Sequence, residues 1–311
     1  MDLDPQCNLT LYALDEEKTE ELWNNHQSIY SVIEPLIRGS GDIDLNINPI
    51  KLKSNLWLVP GDIKLSAFED TLSQAWTEVL AGQEKGFRVT FAIYRYFSYI
   101  AKNLDIDLIL LDLGPNFGPL NRSVLLSSTH YIIPLIPDLF SLRGLQNIGD
   151  IISKWAKLFF KVKNYIEDDN LLELSPRYYP KYGGYIVGQF NIYDKKPTKF
   201  FRDWEEKLPD LIKDYILNPL KNLEKQLETI DNKKYSLIEQ FILDDHKGGF
   251  LGYFRNLHSL MPRSQKQHKA IYLLNKEDDV FGSHKKIVKE IDIQLYEIAI
   301  KIVRNFKAFS D

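Results

Sequence analysis

The chain has 311 residues, 44% of them hydrophobic and 13% aromatic, enough to bury a sizeable core in one large α/β domain or two smaller ones. A formal charge of −4 excludes a globally basic nucleic-acid binder but leaves room for a local basic patch. The single cysteine, Cys7, excludes an internal disulfide framework, and no apolar run approaches the ~20 residues of a membrane span, so a soluble cytoplasmic protein is expected.

In chain order, Asp2-Leu3-Asp4-Pro5 reads as the end of a buried strand running into a loop. Cys7 reads as a small loop residue, since no partnering histidine suggests a catalytic thiol. Residues 27–38 carry apolar side chains at helical spacing, and 54–62 read as a short buried strand stopped by Pro60-Gly61. A helical stripe runs through Leu65, Phe68, Leu72, Trp76 and Leu80, and a further helix is predicted over about 86–103. "LILLDL" (108–113) is a continuous apolar run, as in a strand covered on both faces.

A short helix over 119–128, a strand over 130–137 ending in a proline, and a long helix from about 140 to 163 follow. Residues 183–191 are predicted as a strand, 198–230 as a helix broken at Pro219, and 269–275 as a last strand. The closing helix, with Ser283 placed to cap it, has a core stripe of Ile287, Ile291, Leu295, Ile298 and Ile302. Strands alternating with helices predict a parallel sheet with helices on both faces. In such a sheet the ligand lies beyond the carboxyl ends of the strands, which draws attention to Asp4, Asp112 and Pro137.

An acid at the end of a buried strand can hold a magnesium-bound water beside a nucleotide, or merely cap the following turn. "DLDPQCNLT" resembles the switch segment of the ParA/MinD family of partitioning and positioning ATPases. "DLILLDLGPNFGPLNRSVLLSSTHYIIPLIPDLFSLRGL" resembles that family's Walker B strand, loop, helix and next strand, and "NLWLVPGD" the strand between the two segments. "IYLLNKEDDVFGSH" with its following helix resembles the end of plasmid-partition members.

The resemblance implies a single P-loop NTPase-like domain over 1–311, with a doubly wound, mostly parallel sheet and a helix-rich segment at about 198–262. It implies ATP and Mg²⁺ as ligands, a nucleotide-dependent homodimer, a partner protein that stimulates hydrolysis, and non-specific DNA as a further partner. By position it makes Asp4 the acid that positions or activates the attacking water, and Asp2 its strand-end partner near Mg²⁺ and the P-loop lysine. It makes Asp112 the Walker B acid on magnesium-bound water, and Gly114 and Pro115 the turn approaching the γ-phosphate.

The departure from the family is the phosphate loop: no Gly-x-x-x-x-Gly-Lys-Ser/Thr occurs in the chain. "KGGFLGYF" (247–254) comes nearest, but Leu251 stands where glycine belongs and two acids precede it. The missing first strand and loop are expected to leave a gap in the sheet and weak or absent ATP binding. A start inside the second strand is one explanation; a degenerate relative acting as a non-catalytic adaptor, or a sheet completed by another polypeptide, are the others.

Two basic stretches are candidate DNA contacts. Arg263, Lys266, His268 and Lys269 form the first. Lys285, Lys286, Lys289, Lys301, Arg304 and Lys307 on the closing helix form the second, where Glu290, Asp292 and Glu297 also fit an ordinary solvated face. No histidine pair has the spacing of a zinc site.

Overall fold

The computed structural model describes residues 1–136, 138–190, 192–193, 196–197, 199–257 and 259–306. In chain order it begins with α1 (Asn8–Ala13), α2 (Glu16–Asn24), α3 (Ile29–Arg38), β1 (Ile50–Lys53), β2 (Leu56–Leu58), α4 (Phe68–Leu80), α5 (Glu84–Thr90), α6 (Ala92–Leu104) and α7 (Pro119–Ser127). There follow β3 (His130–Leu135), α8 (Leu139–Tyr165), α9 (Asp169–Glu173), β4 (Lys181–Phe190), β5 (Ile192–Tyr193), β6 (Lys196–Pro197) and α10 (Lys199–Ile212). The chain closes with α11 (Asn218–Asp231), α12 (Gln240–Leu243), β7 (Phe250–Arg255), α13 (Leu260–Lys266) and α14 (Ser283–Asn305). Two compact units result, Met1–Ser128 with Leu158–Tyr178, and Thr129–Lys157 with Tyr179–Asp311.

The first unit is built around its opening residues. Leu3, with no exposed surface, packs among Ile29, Val32 and Ile33 of α3, Phe68 and Leu72 of α4, and Ile93 and Tyr96 of α6. The one polar atom that this would strand, the Tyr96 hydroxyl, donates to the Ile47 carbonyl at 2.8 Å. Local signals set the helices. Asp15 caps α2 by accepting from the Lys18 amide, and α3 stops where Gly39 takes a left-handed φ of 65°. Pro119 opens α7, where its missing N–H is not needed.

Backbone bonds place Met1–Leu3 between two neighbours. Leu3 N donates to Asp112 O at 2.9 Å, and Asp112 N to Met1 O at 3.0 Å, in a parallel bridge. On the other side Asp2 N donates to Val59 O at 3.1 Å. The acid-flanked leucine therefore does lie at the end of a strand-like segment, as its residues predict.

The expectation for 108–113 needs correcting. Among the described residues Asp112 is the one that forms a β-bridge, Leu110 O accepts from the Met1 ammonium at 2.9 Å, and Leu108 and Leu110 are 53% and 67% exposed while Ile109, Leu111 and Leu113 pack on the core. Alternation puts one face on the cluster and the other outward, so the run is half-covered rather than covered on both faces. The helix predicted over 86–103 is two, α5 and α6, meeting at Phe91.

In the second unit β3, β4 and β7 form a three-stranded parallel sheet with β4 in the middle, and helices flank it. α14 lies close against β7 because residue 252 is glycine: a Cβ there would stand 2.5 Å from Ile298 Cγ1. Lys301 Nζ reinforces the approach by donating to Leu251 O at 2.8 Å. Beside it Leu257, Leu260, Ile271, Leu274, Val280, Val288 and Ile291 make a separate apolar cluster.

Three expectations fall in this unit. Residues 269–275 are not a strand. Ile271 and Leu274 are buried while Tyr272 and Leu273 are exposed, a three-residue spacing that suits the observed 3₁₀ turn Ile271–Leu273. Ser283 does not cap α14; it is the first helical residue, after Gly282 at φ 53°, and makes no cap bond. The break near Pro219 is a π-helical turn, Lys213–Leu217, and the proline sits in the first turn of α11 where it is tolerated.

Candidate functional site

The candidate acids meet in the first unit. Asp2 is fully buried, and its Oδ2 accepts from the Thr10 hydroxyl at 2.6 Å and the Thr10 amide at 2.8 Å. Its Oδ1 accepts from the Asp4 amide at 3.3 Å. The Thr10 hydroxyl in turn accepts from the Gly61 amide at 2.7 Å. Gly61 has to be glycine, because a Cβ there would lie 2.8 Å from the Asp2 carboxyl carbon. Burial pushes the Asp2 pKa up, against the hydrogen bonds from Thr10 and the Asp4 amide. The side chain thus ties residues 1–4, α1 and the 59–61 exit into one network.

Asp4 lies one turn further out and is half-buried. Its Oδ1 accepts from the Gln6 amide at 3.0 Å, while among the described residues Oδ2 has no hydrogen-bond partner. A Cβ on Gly114 would lie 3.0 Å from Asp4 Oδ1, so glycine lets the loop after Asp112 come up against this acid. Asp112 is exposed, and among the described residues its carboxylate makes no hydrogen bond or ion pair. Although the residue is exposed as a whole, surrounding atoms partly shield its carboxyl group; that desolvation, then the charges of Asp2 and Asp4, raise its pKa, and the Met1 ammonium lowers it. These acids form a local negative field at the strand exits.

Cys7 is not poised as a reactive thiol. It is buried in a left-handed conformation, φ 54°, and burial followed by the neighbouring aspartates pushes its thiol up to about 12.

The loop Gly114–Gly118 is tightly held. Asn121 Nδ2 donates to Gly114 O at 2.7 Å and to Asn116 O at 2.6 Å. Asn116 Oδ1 accepts from the Gly118 amide at 2.7 Å, and Glu69 Oε2 from the Leu120 amide at 3.2 Å. Pro115 is exposed beside this frame. Thr10, Gly61, Glu69 and Asn121 were not legible as site residues. Each acts through a contact distant in sequence or through a backbone carbonyl, and no spacing rule marks either.

The donor set bears on magnesium. Among the described residues no three or more His, Cys, Asp or Glu side chains are arranged to hold a metal ion. Mg²⁺ keeps several waters and is commonly bound through one or two carboxylates together with substrate phosphates, so a lone, exposed Asp112 carboxylate fits a water-mediated hold. "KGGFLGYF" does not supply a phosphate cradle. Gly248 and Gly249, at φ 66° and 88°, turn the chain into strand β7, whereas a phosphate loop leads into a helix.

The described basic candidates lie in the second unit; Ser259 Oγ sits 3.3 Å from His284 Nε2 where α13 begins near the start of α14, whereas Lys301 reaches β7 and donates to Leu251 O. Several are already engaged. Lys269 pairs with Asp278 at 2.8 Å, Lys286 with Glu290 at 3.9 Å, and Arg263 donates to the Asp279 carbonyl. Lys266 and Lys285 are exposed and make no ion pair among the described residues. Pro137 and Lys307 lie outside the described residues. Among those described, no helix is long and apolar enough to cross a membrane.

Comparison with known proteins supplies the wider setting. The AAA_31 family model, an AAA domain, matches residues 1–164. The virulence plasmid ParA family protein pGP5-D of Chlamydia psittaci is 27% identical over 154 residues, which cover 49% of this chain and 50% of that protein. Protein DIP2308 from Corynebacterium diphtheriae has a similar structure, with a TM-score of 0.63 and 21% identity over 86% of each chain. The ATP complex of a McdA variant from Cyanothece aligns with a TM-score of 0.53 and 11% identity, covering 100% of this chain and 85% of that one.

Proposed function

The chain belongs to the AAA_31 family, AAA domains of ParA/MinD type, and from that membership we propose that it serves ATP-dependent partitioning or positioning of DNA or another cargo. One observation carries the reading: Asp4, with one carboxylate oxygen unengaged among the described residues, and Asp112, with both, flank Gly114 at the exits of adjacent strand segments. In phosphoryl transfer the protein needs to hold a water and neutralise charge more than to do covalent chemistry. Asp4 then orients the attacking water through Oδ2, while Gln6 N–H fixes Oδ1. Asp112 would hold Mg²⁺ through water, and the ion would supply charge neutralisation toward the phosphates. Gly114 and Pro115 face the γ-phosphate. Asp2, saturated by Thr10 and the Asp4 amide, sets the position of Asp4. The ATP bound in the McdA complex supports this ligand class.

These residues make up the water- and metal-facing side of a nucleotide site. The amide cradle and lysine that grip the phosphates elsewhere are absent from the 311 residues. Calorimetric titration of Mg·ATP into this polypeptide is therefore expected to show weak or no binding and no appreciable hydrolysis; micromolar affinity would overturn that. In a form that turns over ATP, Asp4→Ala abolishes hydrolysis and spares binding, and unchanged turnover removes Asp4 from the role. The missing cradle also favours a second reading, a non-catalytic adaptor on the same fold, and a partner captured equally well by wild type and Asp4→Ala would support it. A nucleotide-dependent homodimer, a stimulating partner protein, non-specific DNA contacts through Lys266 and Lys285, and a cytoplasmic setting complete the proposal.

A further inference from the structure

We propose that Asn121 and Glu69 are positioning residues that clamp the loop Gly114–Gly118 into the shape it presents beside Asp4 and Asp112. The inference rests on the reading that this loop faces a nucleotide, and it concerns side chains that do not touch one. Asn121, 6% exposed, sits two residues into α7, and its one amide nitrogen bonds two carbonyls, Gly114 O at 2.7 Å and Asn116 O at 2.6 Å. Both N–H donors of the side chain are thus committed to the loop. Carbonyls two residues apart can converge on one donor only in a tight turn, so the loop is folded around the asparagine.

Glu69 closes the clamp from α4. Its carboxylate accepts from the Leu120 amide at the start of α7, where a negative charge also favours the helix dipole. A Cβ on Gly118 would lie 2.7 Å from Glu69 Oε2, so the carboxylate packs flat against the loop. Arg122, 4.5 Å over the Trp76 ring and attracted to Glu69, holds α7 against α4. The phosphate-facing turn is thereby referenced to two helices, independently of any ligand. Such prior ordering lets a loop meet developing charge without reorganising.

Hydrogen–deuterium exchange resolved to single amides tests the clamp in the whole chain. Asn121→Asp keeps the shape but replaces both donors with acceptors facing two carbonyls. It is expected to raise exchange at Asn116 and Gly118 by roughly tenfold or more, with β3 amides unchanged. Glu69→Ala, which does not touch the Asn121 contacts, should raise exchange at Leu120, and Glu69→Gln, which keeps an acceptor, should restore protection. Unchanged loop exchange in Asn121→Asp, or equal exchange in Glu69→Ala and Glu69→Gln, overturns the clamp; if Asn121→Asp fails to fold, the Glu69 pair decides.

Mn²⁺ alone, followed by paramagnetic broadening of backbone amide signals, separates this from the reading of the site. Broadening at Leu113 and Gly114 in wild type that falls several-fold in Asn121→Asp supports the clamp, and equal broadening in both counts against it. No broadening near Asp112 in wild type overturns the metal assignment, while the exchange data still decide the clamp.

Discussion

Thr10 carries more than its size suggests. Its hydroxyl donates to the buried Asp2 carboxylate and accepts from the Gly61 amide, so Thr10→Val leaves two buried polar groups short of a partner at nearly constant volume. We expect a loss of about 1–3 kcal/mol in unfolding free energy by urea titration, and a variant as stable as wild type would contradict the network. Asp42 offers a pH-dependent case. Burial would raise its pKa, but Arg95, donating to both oxygens at 2.9 and 2.6 Å, and Arg88 at 2.8 Å outweigh that and hold it below the usual range. A depressed carboxylate contributes stability above its unfolded pKa of about 3.9 and loses it as pH falls through the lower folded value. Asp42→Asn should therefore lower the melting temperature at pH 7, by an amount equivalent to no more than about 1 kcal/mol since the pair is partly exposed. The gap should narrow as pH falls below about 3.9 and close once pH has passed the lower folded value; a gap constant with pH would show that the charge is not the cause.

Packing between elements reverses an ordinary propensity at Gly149. In an exposed helix Gly→Ala gains up to about 1 kcal/mol. On α8, however, a Cβ at 149 would collide with the Tyr215 carbonyl in the π-helical turn Lys213–Leu217. Backbone cannot rotate away, so Gly149→Ala is expected to cost about 1–3 kcal/mol, read as a lower urea midpoint. A neutral or stabilising result would mean that α8 and this turn are not in contact. The same scale explains where reading the residues failed. α7, β3, α8 and β4 were legible because period and boundary residues agreed there. β7 was not, because residues 247–254 drew notice only as a near-match to a phosphate loop; only pairing with β4 makes Phe250–Arg255 a strand. Residues 269–275 failed for the opposite reason, a strand-like composition in a segment whose buried positions are three apart.

A net charge of −4 gives the whole molecule no general attraction to DNA, so any binding must come from local cations. Ion pairing sorts the candidates: Lys266 and Lys285 are exposed and unpaired among the described residues, whereas Lys269 is tied to Asp278. The double variant Lys266→Glu, Lys285→Glu should weaken binding to duplex DNA of any sequence. It should also make the dependence of log K on log salt shallower by about 2, roughly 0.9 for each phosphate that is no longer neutralised. Lys269→Met should leave that slope unchanged. An unaltered slope in the double variant would place any DNA surface elsewhere on the molecule.

By itself the sequence determined the α/β class, the family resemblance, and the acids at the strand exits. Each follows from local order, apolar runs closed by Asp4 or by Asp112, which hydrogen bonding between neighbouring segments then brings together. Tertiary structure alone decided how those acids are held. Asp2 and Asp4 are two residues apart and chemically identical. Yet Asp2 is held by Thr10 and a backbone amide in the core, while Asp4, whose Oδ1 lies against Gly114, has no hydrogen-bond partner on Oδ2 among the described residues. Partners eight residues along the chain for Asp2 and about a hundred for Asp4 make that difference. Burial and hydrogen-bond satisfaction depend on which distant segments arrive, which no pattern along the chain encodes.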